Sequence, residues 1–198
     1  MSGPRRCFGD GNPLYERYHD LEWGRRVRDE RGIYERICLE AFQSGLSWLI
    51  VLRKRDSMRA AFSGFDPEAV ASLSHRDIAR LLANPGIIRN RAKIEAAIAG
   101  ARATIEMRSS GQSLPQLVWS FAPRRRRAPR RDADLPSRTN ESVALAKALR
   151  VRGFRFVGPT TVYATMQAIG VVNDHLYACH VRKEVEGERM ESLGAPRG

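Results

Sequence analysis

A chain of 198 residues, 42% hydrophobic and 28% charged, is long enough for one substantial core and too short for several independent domains. No apolar run approaches the roughly 18–20 residues of a membrane span, and the opening MSGPRRCFGDG lacks the apolar stretch of a secretion signal, so a cytoplasmic protein with no membrane partner is expected. The net charge of +12, from 34 Lys+Arg against 22 Asp+Glu, suits nucleic acid as a partner but also a merely solubilising charge excess.

In chain order the signals are helical, and strand-like alternation is almost absent. NPLYERYHDLEWG has turn residues at both ends of a helical stretch. From Glu30 to Phe42 the apolar residues Ile33, Tyr34, Ile37, Cys38, Ala41 and Phe42 form one wide stripe, and Glu40 projects only about 20° from Ile33 at the helical period. A carboxylate is thus aimed at the boundary of a core. Ser47 reads as the N-cap of a helix from Trp48 to Phe62, and Asp66-Pro67 and Ser74 open two short helices, the second stopped by Pro85-Gly86. Ile94, Ala97, Ile98, Ala101 and Ile105 mark a further helix ended by Gly111. Residues 123–139 are rich in Pro, Arg and Asp and lack periodicity, which predicts an exposed loop carrying the run RRRRAPRR. Asn140 is expected to cap a helix reaching Arg150. RGFRFVG is then a tight turn flanked by Gly153 and Gly158, and Pro159 to Ile169 forms another helix. The composition predicts one domain over residues 1–182 and a loose polar tail over 183–198. Trp23 and Trp119 are expected in the core.

Three cysteines, Cys7, Cys38 and Cys179, spread over the chain are no disulfide framework, which leaves metal binding or plain burial. Cys7 and His19 near one end, with His175 and Cys179 near the other, are the residue types of a closed tetrahedral metal site that would tie the termini together. The i, i+4 spacing of His175 and Cys179 places them on one face of a helical turn. The C-x11-H spacing is not that of a standard zinc finger, and His180 competes with Cys179 as a ligand.

The stretches NPLYERYHDLEWG, ICLEAFQSGLSWLIVLRKR, FDPEAVASL, GIIRNRAKIEAAIAGARA, LVWSF and RGFRFVGPTTVYATMQAIGVVNDH, in this order, resemble the 3-methyladenine DNA glycosylase I family of bacterial alkylation-repair enzymes. The resemblance spans about residues 5 to 180. It implies a mostly helical fold of the helix-hairpin-helix DNA glycosylase superfamily, with two helical lobes around a DNA-facing cleft. It also implies a structural zinc on Cys7, His19, His175 and Cys179, which is where the choice of Cys179 over His180 comes from. The hairpin would be RGFRFVGPT, whose backbone N–H groups, with Gly153 and Gly158 at its ends, suit phosphate contact without reading sequence. The expected partner is double-stranded DNA bearing alkylated bases, bound by a monomer.

A glycosylase must turn its target nucleotide out of the duplex, and 3-methyladenine in DNA is cationic, so aromatic faces and a carboxylate both attract it. By the resemblance, Glu40 and Tyr18 meet the base edge, Trp48 and Tyr15 line its faces, and Glu40 is the candidate catalytic residue. Gly45 and Leu46 are expected to fill the gap left by the extruded base, and Arg89, Arg91 and Lys93 to touch phosphates. Where related lyases carry an aspartate and a lysine, this chain has Asn173 and Thr160, so no amine nucleophile is expected and the enzyme would be monofunctional. Phe8 stands where the family often has a tryptophan. The competing reading is a non-catalytic protein that binds damaged or structured DNA on the same scaffold.

Overall fold

The computed structural model describes residues 4–9, 11–124 and 126–194; among them are ten α-helices and no strand. Arg125 of the arginine run and residues 195–198 of the expected tail lie outside the described residues. The helices are α1 (Pro13–Leu21), α2 (Glu30–Gln43), α3 (Trp48–Ala61), α4 (Pro67–Ala71), α5 (His75–Ala83), α6 (Arg91–Ser109), α7 (Leu114–Trp119), α8 (Asn140–Val151), α9 (Pro159–Ala168) and α10 (Arg182–Gly194). Their starts follow local chemistry. The side chains of Asn12, Asp29, Asp66 and Asn90 each accept a hydrogen bond from a backbone N–H of the first turn, and Ser74 and Asp77 cap each other reciprocally.

Helix α2 is the central element. It packs on α3, α6, α7 and α9, and every residue from Arg36 to Phe42 is buried. Enclosed on most sides, α2 leaves no solvent face between Arg36 and Phe42, so Leu39 and Glu40, outside or at the edge of the predicted stripe, are buried as well. One continuous apolar core runs from Tyr18 through Ile33, Phe42, Phe62, Ile94 and Leu149 to Val172. α4 and α5 pack on α6 and α8 packs on α9, with α2 in contact with both groups.

Three expectations need correction. The cap of α8 is Thr139 rather than Asn140: Thr139 Oγ1 accepts from Ser142 N at 3.3 Å, and Ser142 Oγ accepts from Thr139 N at 2.9 Å. The polar tail from Lys183 is helical through Gly194 as α10, with Val185 and Arg189 buried. Composition hid this helix because ion pairs and carbonyls hold it: Arg25 pairs with Glu184 and Glu188 at 2.8 Å each, and Arg189 Nε donates to Val171 O at 3.0 Å. The 123–139 segment is irregular apart from a short turn at Asp132–Asp134, but it is not wholly solvated. Arg126 lies 3.1 Å from the buried Asp174 carboxylate and 5.3 Å above the Tyr163 ring.

Candidate functional site

Helix α1 presents Tyr15 and Tyr18, α2 presents Glu40 and α3 begins at Trp48, so three consecutive helices converge the predicted base-contacting residues. The Tyr18 and Trp48 rings lie 5.2 Å apart at a 48° tilt, and Phe8 closes the group 5.0 Å from Tyr15 and 6.5 Å from Tyr18. Phe8 also packs edge-on against His19 at 4.9 Å and Trp23 at 5.0 Å. Burial first, and then the nearby Glu40 charge, push the hydroxyls of both Tyr15 and Tyr18 up, which places the carboxyl within electrostatic reach of the two rings.

Glu40 is 5% exposed and accepts no hydrogen bond from a described residue. Burial pushes its carboxyl up to about 8, and the Arg36 guanidinium one turn earlier partly offsets this. Trp48 Nε1 is likewise buried with no partner. An unpaired buried polar group costs about 1–3 kcal/mol, a cost that a ligand bonding Trp48 Nε1 would remove; Arg36 Nη1 and Arg55 Nε are buried without a partner as well. Arg36, which sequence reading passed over, is fixed by Glu22, whose Oε2 accepts from Arg36 at 3.0 Å and from Arg55 at 2.6 Å. Its place four residues before Glu40 on one helix was the available signal. Trp119 is core as expected, donating from Nε1 to Val27 O at 2.9 Å, whereas Trp23 is half-buried, its ring 4.6 Å from that of His175. A cleft of about 880 Å³ lies elsewhere, along Arg126, Arg127, Arg130 and Arg131, and touches none of the aromatic group. Chemistry rather than volume identifies the site.

Cys7, His19, His175 and Cys179 converge, their ligand atoms all within 4.8 Å of one another, and could hold a metal ion. Cys179 Sγ is 3.5 Å from His19 Nε2 and 3.4 Å from His175 Nδ1, and Cys7 Sγ is 3.6 Å from His175 Nδ1. Tetrahedral zinc with ordinary bond lengths separates neighbouring sulfur and nitrogen donors by about 3.5 Å, which these three separations match. The far nitrogen of each ring is oriented: His19 Nδ1 lies 2.8 Å from Asp20 Oδ1 and His175 Nε2 lies 3.0 Å from Trp23 O. The Cys179 thiol beside it, and then burial, push the Cys7 thiol up, while Cys7, His175 and His19 hold Cys179 down. His180 stands apart, 2.8 Å from Asp20 Oδ1. The segment carrying His175 and Cys179 is an irregular turn rather than the helical turn expected, and it converges its ligands through Cys179 N donating to Leu176 O at 2.8 Å.

Between α8 and α9 the hairpin puts Phe154 and Val157 inward and leaves Arg155 and Phe156 exposed. Gly153 turns the chain at φ +95°, and a Cβ on Gly158, the N-cap of α9, would meet nothing within 4 Å. Between α2 and α3, residues 44–47 are all exposed, with Gly45 at φ +81° and Leu46 38% exposed at the tip. Arg89 and Arg91 are exposed, but Lys93 is 6% exposed and donates to Phe42 O and Ser44 O, which removes it from the candidate phosphate contacts. Asn173 is also buried, its amide donating to Arg182 O at 3.1 Å and Glu186 Oε2 at 2.9 Å.

Ten α-helices among the described residues, a glycine-flanked hairpin, a Cys/His cage and a buried acid near aromatic rings are the arrangement that the resemblance to helix-hairpin-helix DNA glycosylases implies. The methyladenine glycosylase family model matches residues 8–183, and the chain belongs to that family. DNA-3-methyladenine glycosylase 1 of Escherichia coli (strain K12) is 46% identical over 170 residues, 85% of this chain and 91% of its own. The DNA-3-methyladenine glycosylase of Haemophilus influenzae is 44% identical over 169 residues, 84% of this chain and 91% of its own. A crystal structure of a 3-methyladenine DNA glycosylase I, 47% identical, superposes with a TM-score of 0.86 over 89% of this chain and 98% of that one. A variant of a 3-methyladenine DNA glycosylase I solved in complex with 3-methyladenine, 31% identical, gives 0.84 over 89% and 96%.

Proposed function

We propose that this chain is a DNA-3-methyladenine glycosylase that hydrolyses the N-glycosyl bond of 3-methyladenine in alkylated double-stranded DNA, acting as a monomer in the bacterial cytoplasm. The observation that carries the reading is the buried Glu40 carboxyl, which accepts no hydrogen bond from a described residue, with Trp48 Nε1 buried without a partner and the Trp48 ring against Tyr18. A flipped cationic base supplies what both lack. Its charge pairs with Glu40 in a site that excludes water, and its faces lie against aromatic rings. Tyr18 meets the base edge beside Glu40, while Trp48 and Tyr15 line its faces.

The base leaves readily because it is cationic, so bond breaking needs binding, desolvation and attack of water at C1′ more than a strong general base. Glu40 stabilises positive charge as the bond breaks. No amine replaces water as nucleophile: Thr160 opens α9 and the Asn173 amide is spent on Arg182 and Glu186, which supports a monofunctional enzyme. Gly153 and Gly158 in the hairpin let backbone N–H groups approach phosphate, and Gly45 and Leu46 occupy the gap in the duplex. Zinc on Cys7, His19, His175 and Cys179 leaves no open coordination position and so acts as a structural tie rather than a catalyst.

Incubation with methylated DNA and chromatography of the released bases tests the reading. Release of free 3-methyladenine without strand cleavage is expected. Tight DNA binding with no base released would favour a damage-binding protein instead.

A further inference from the structure

The residue expected to touch phosphate turns inward. Lys93 lies in the first turn of α6, where a cation opposes its own helix dipole, yet it is 6% exposed and crosses to the C-terminal end of α2. There Nζ donates to Phe42 O at 2.9 Å and to Ser44 O at 2.5 Å. These carbonyls belong to the unsatisfied end of α2 and to the start of the exposed 44–47 turn. Few other bonds define that turn. Ser44 N donates to Ala41 O at 3.3 Å, Leu46 N donates to Gln43 O at 2.6 Å, and the Ser47 side chain makes no capping bond to α3.

We propose that Lys93 is a positioning residue for the excision reaction: by bridging the end of α2 to Ser44 it fixes the path along which Gly45 and Leu46 enter the duplex. The inference rests on the reading that Gly45 and Leu46 form the wedge. Glu40 lies earlier on the same helix, within its buried stretch, whereas Ser44 begins the exposed turn. Trp48, which follows the turn, is buried and packed against Tyr18 at 5.2 Å, so loss of Lys93 frees the wedge while leaving the base pocket formed.

Lys93→Met, close in length but with no donor, is compared with Leu46→Ala in three measurements: release of 3-methyladenine from methylated duplex DNA, binding of free 3-methyladenine, and fluorescence of 2-aminopurine placed opposite an abasic-site analogue. Both variants are expected to lose tenfold or more in release from duplex and most of the 2-aminopurine response, with free-base affinity within twofold of the parent. The double variant is expected to be no worse than the poorer single one. If Lys93→Met keeps duplex release and the 2-aminopurine response while Leu46→Ala loses them, the role of Lys93 is refuted and the wedge reading stands. If Leu46→Ala also keeps both, the wedge reading fails and the inference with it. Equal loss of duplex release and free-base affinity in Lys93→Met would mark a merely structural lysine. Should that variant not fold, Lys93→Leu, which also lacks a donor, is read against the same outcomes.

Discussion

Glu40 combines two properties that pull in opposite directions. Its carboxyl is held up to about 8 by burial, against the ordinary 4.5, so between those values the folded protein binds a proton that the unfolded chain has released. Stability from this group is therefore full below about pH 4.5 and is lost as the pH rises through 8. Glu40→Gln removes the effect. Substrate-free Glu40→Gln is expected to melt above the parent at pH 9, with the gap closing by pH 5, as calorimetry at the two pH values checks. The same variant is expected to lose roughly 10–100-fold in 3-methyladenine release, the worth of about 1.5–3 kcal/mol for a hydrogen bond to a charged group. Periodicity placed Glu40 at the edge of a stripe. It could not show burial without a partner, because that depends on α1 and α3 closing over α2.

At the scale of elements, caps and glycines announced most of the helices, and the interiors of α2, α3, α6 and α9 follow the apolar pattern. Gly158 separates local from functional constraint: its backbone is ordinary at φ −69° and the space around it is open. Gly158→Ala is expected to leave urea-unfolding stability within about 0.5 kcal/mol and to weaken DNA binding severalfold, because on the proposed reading the added methyl stands where a phosphate approaches. Helix α10 was illegible because its sequence offers charged residues where an amphipathic helix offers leucines. The 2% exposed Arg189 spans two segments, donating to Val171 O and to Pro123 O. Arg189→Ala leaves those carbonyls unsatisfied and a cavity behind, so a loss of about 2–4 kcal/mol is expected in urea unfolding.

The molecule as a whole is joined at its ends. Cys7 and His19 meet His175 and Cys179 across more than 150 residues of chain, in a group whose ligand atoms lie within 4.8 Å of one another and could hold a metal ion. Chelation of bound metal, or Cys179→Ala, is expected to lower Tm on the order of 10 °C, since each kcal/mol lost lowers it by about 2–4 °C in a chain of this size. Metal analysis of the purified parent is expected to give one zinc per chain and of the variant none. His180, equal to Cys179 as a ligand by sequence position, is excluded from the cage only by the turn that sends it to Asp20.

The amino-acid sequence alone determined the helical class, most helix boundaries, the basic character, and, through six ordered stretches, the resemblance to alkylation-repair glycosylases. Those properties depend on local periodicity, capping chemistry and residue identity, which need no neighbours. The tertiary structure decided which polar groups were left without partners. Glu40 was buried with no hydrogen bond from a described residue, Trp48 Nε1 was left without a partner, Lys93 was turned from the surface to the end of α2, and Arg189 was drawn inside by α10. Burial and hydrogen-bond satisfaction belong to the packed arrangement of several helices, and no single segment carries that information.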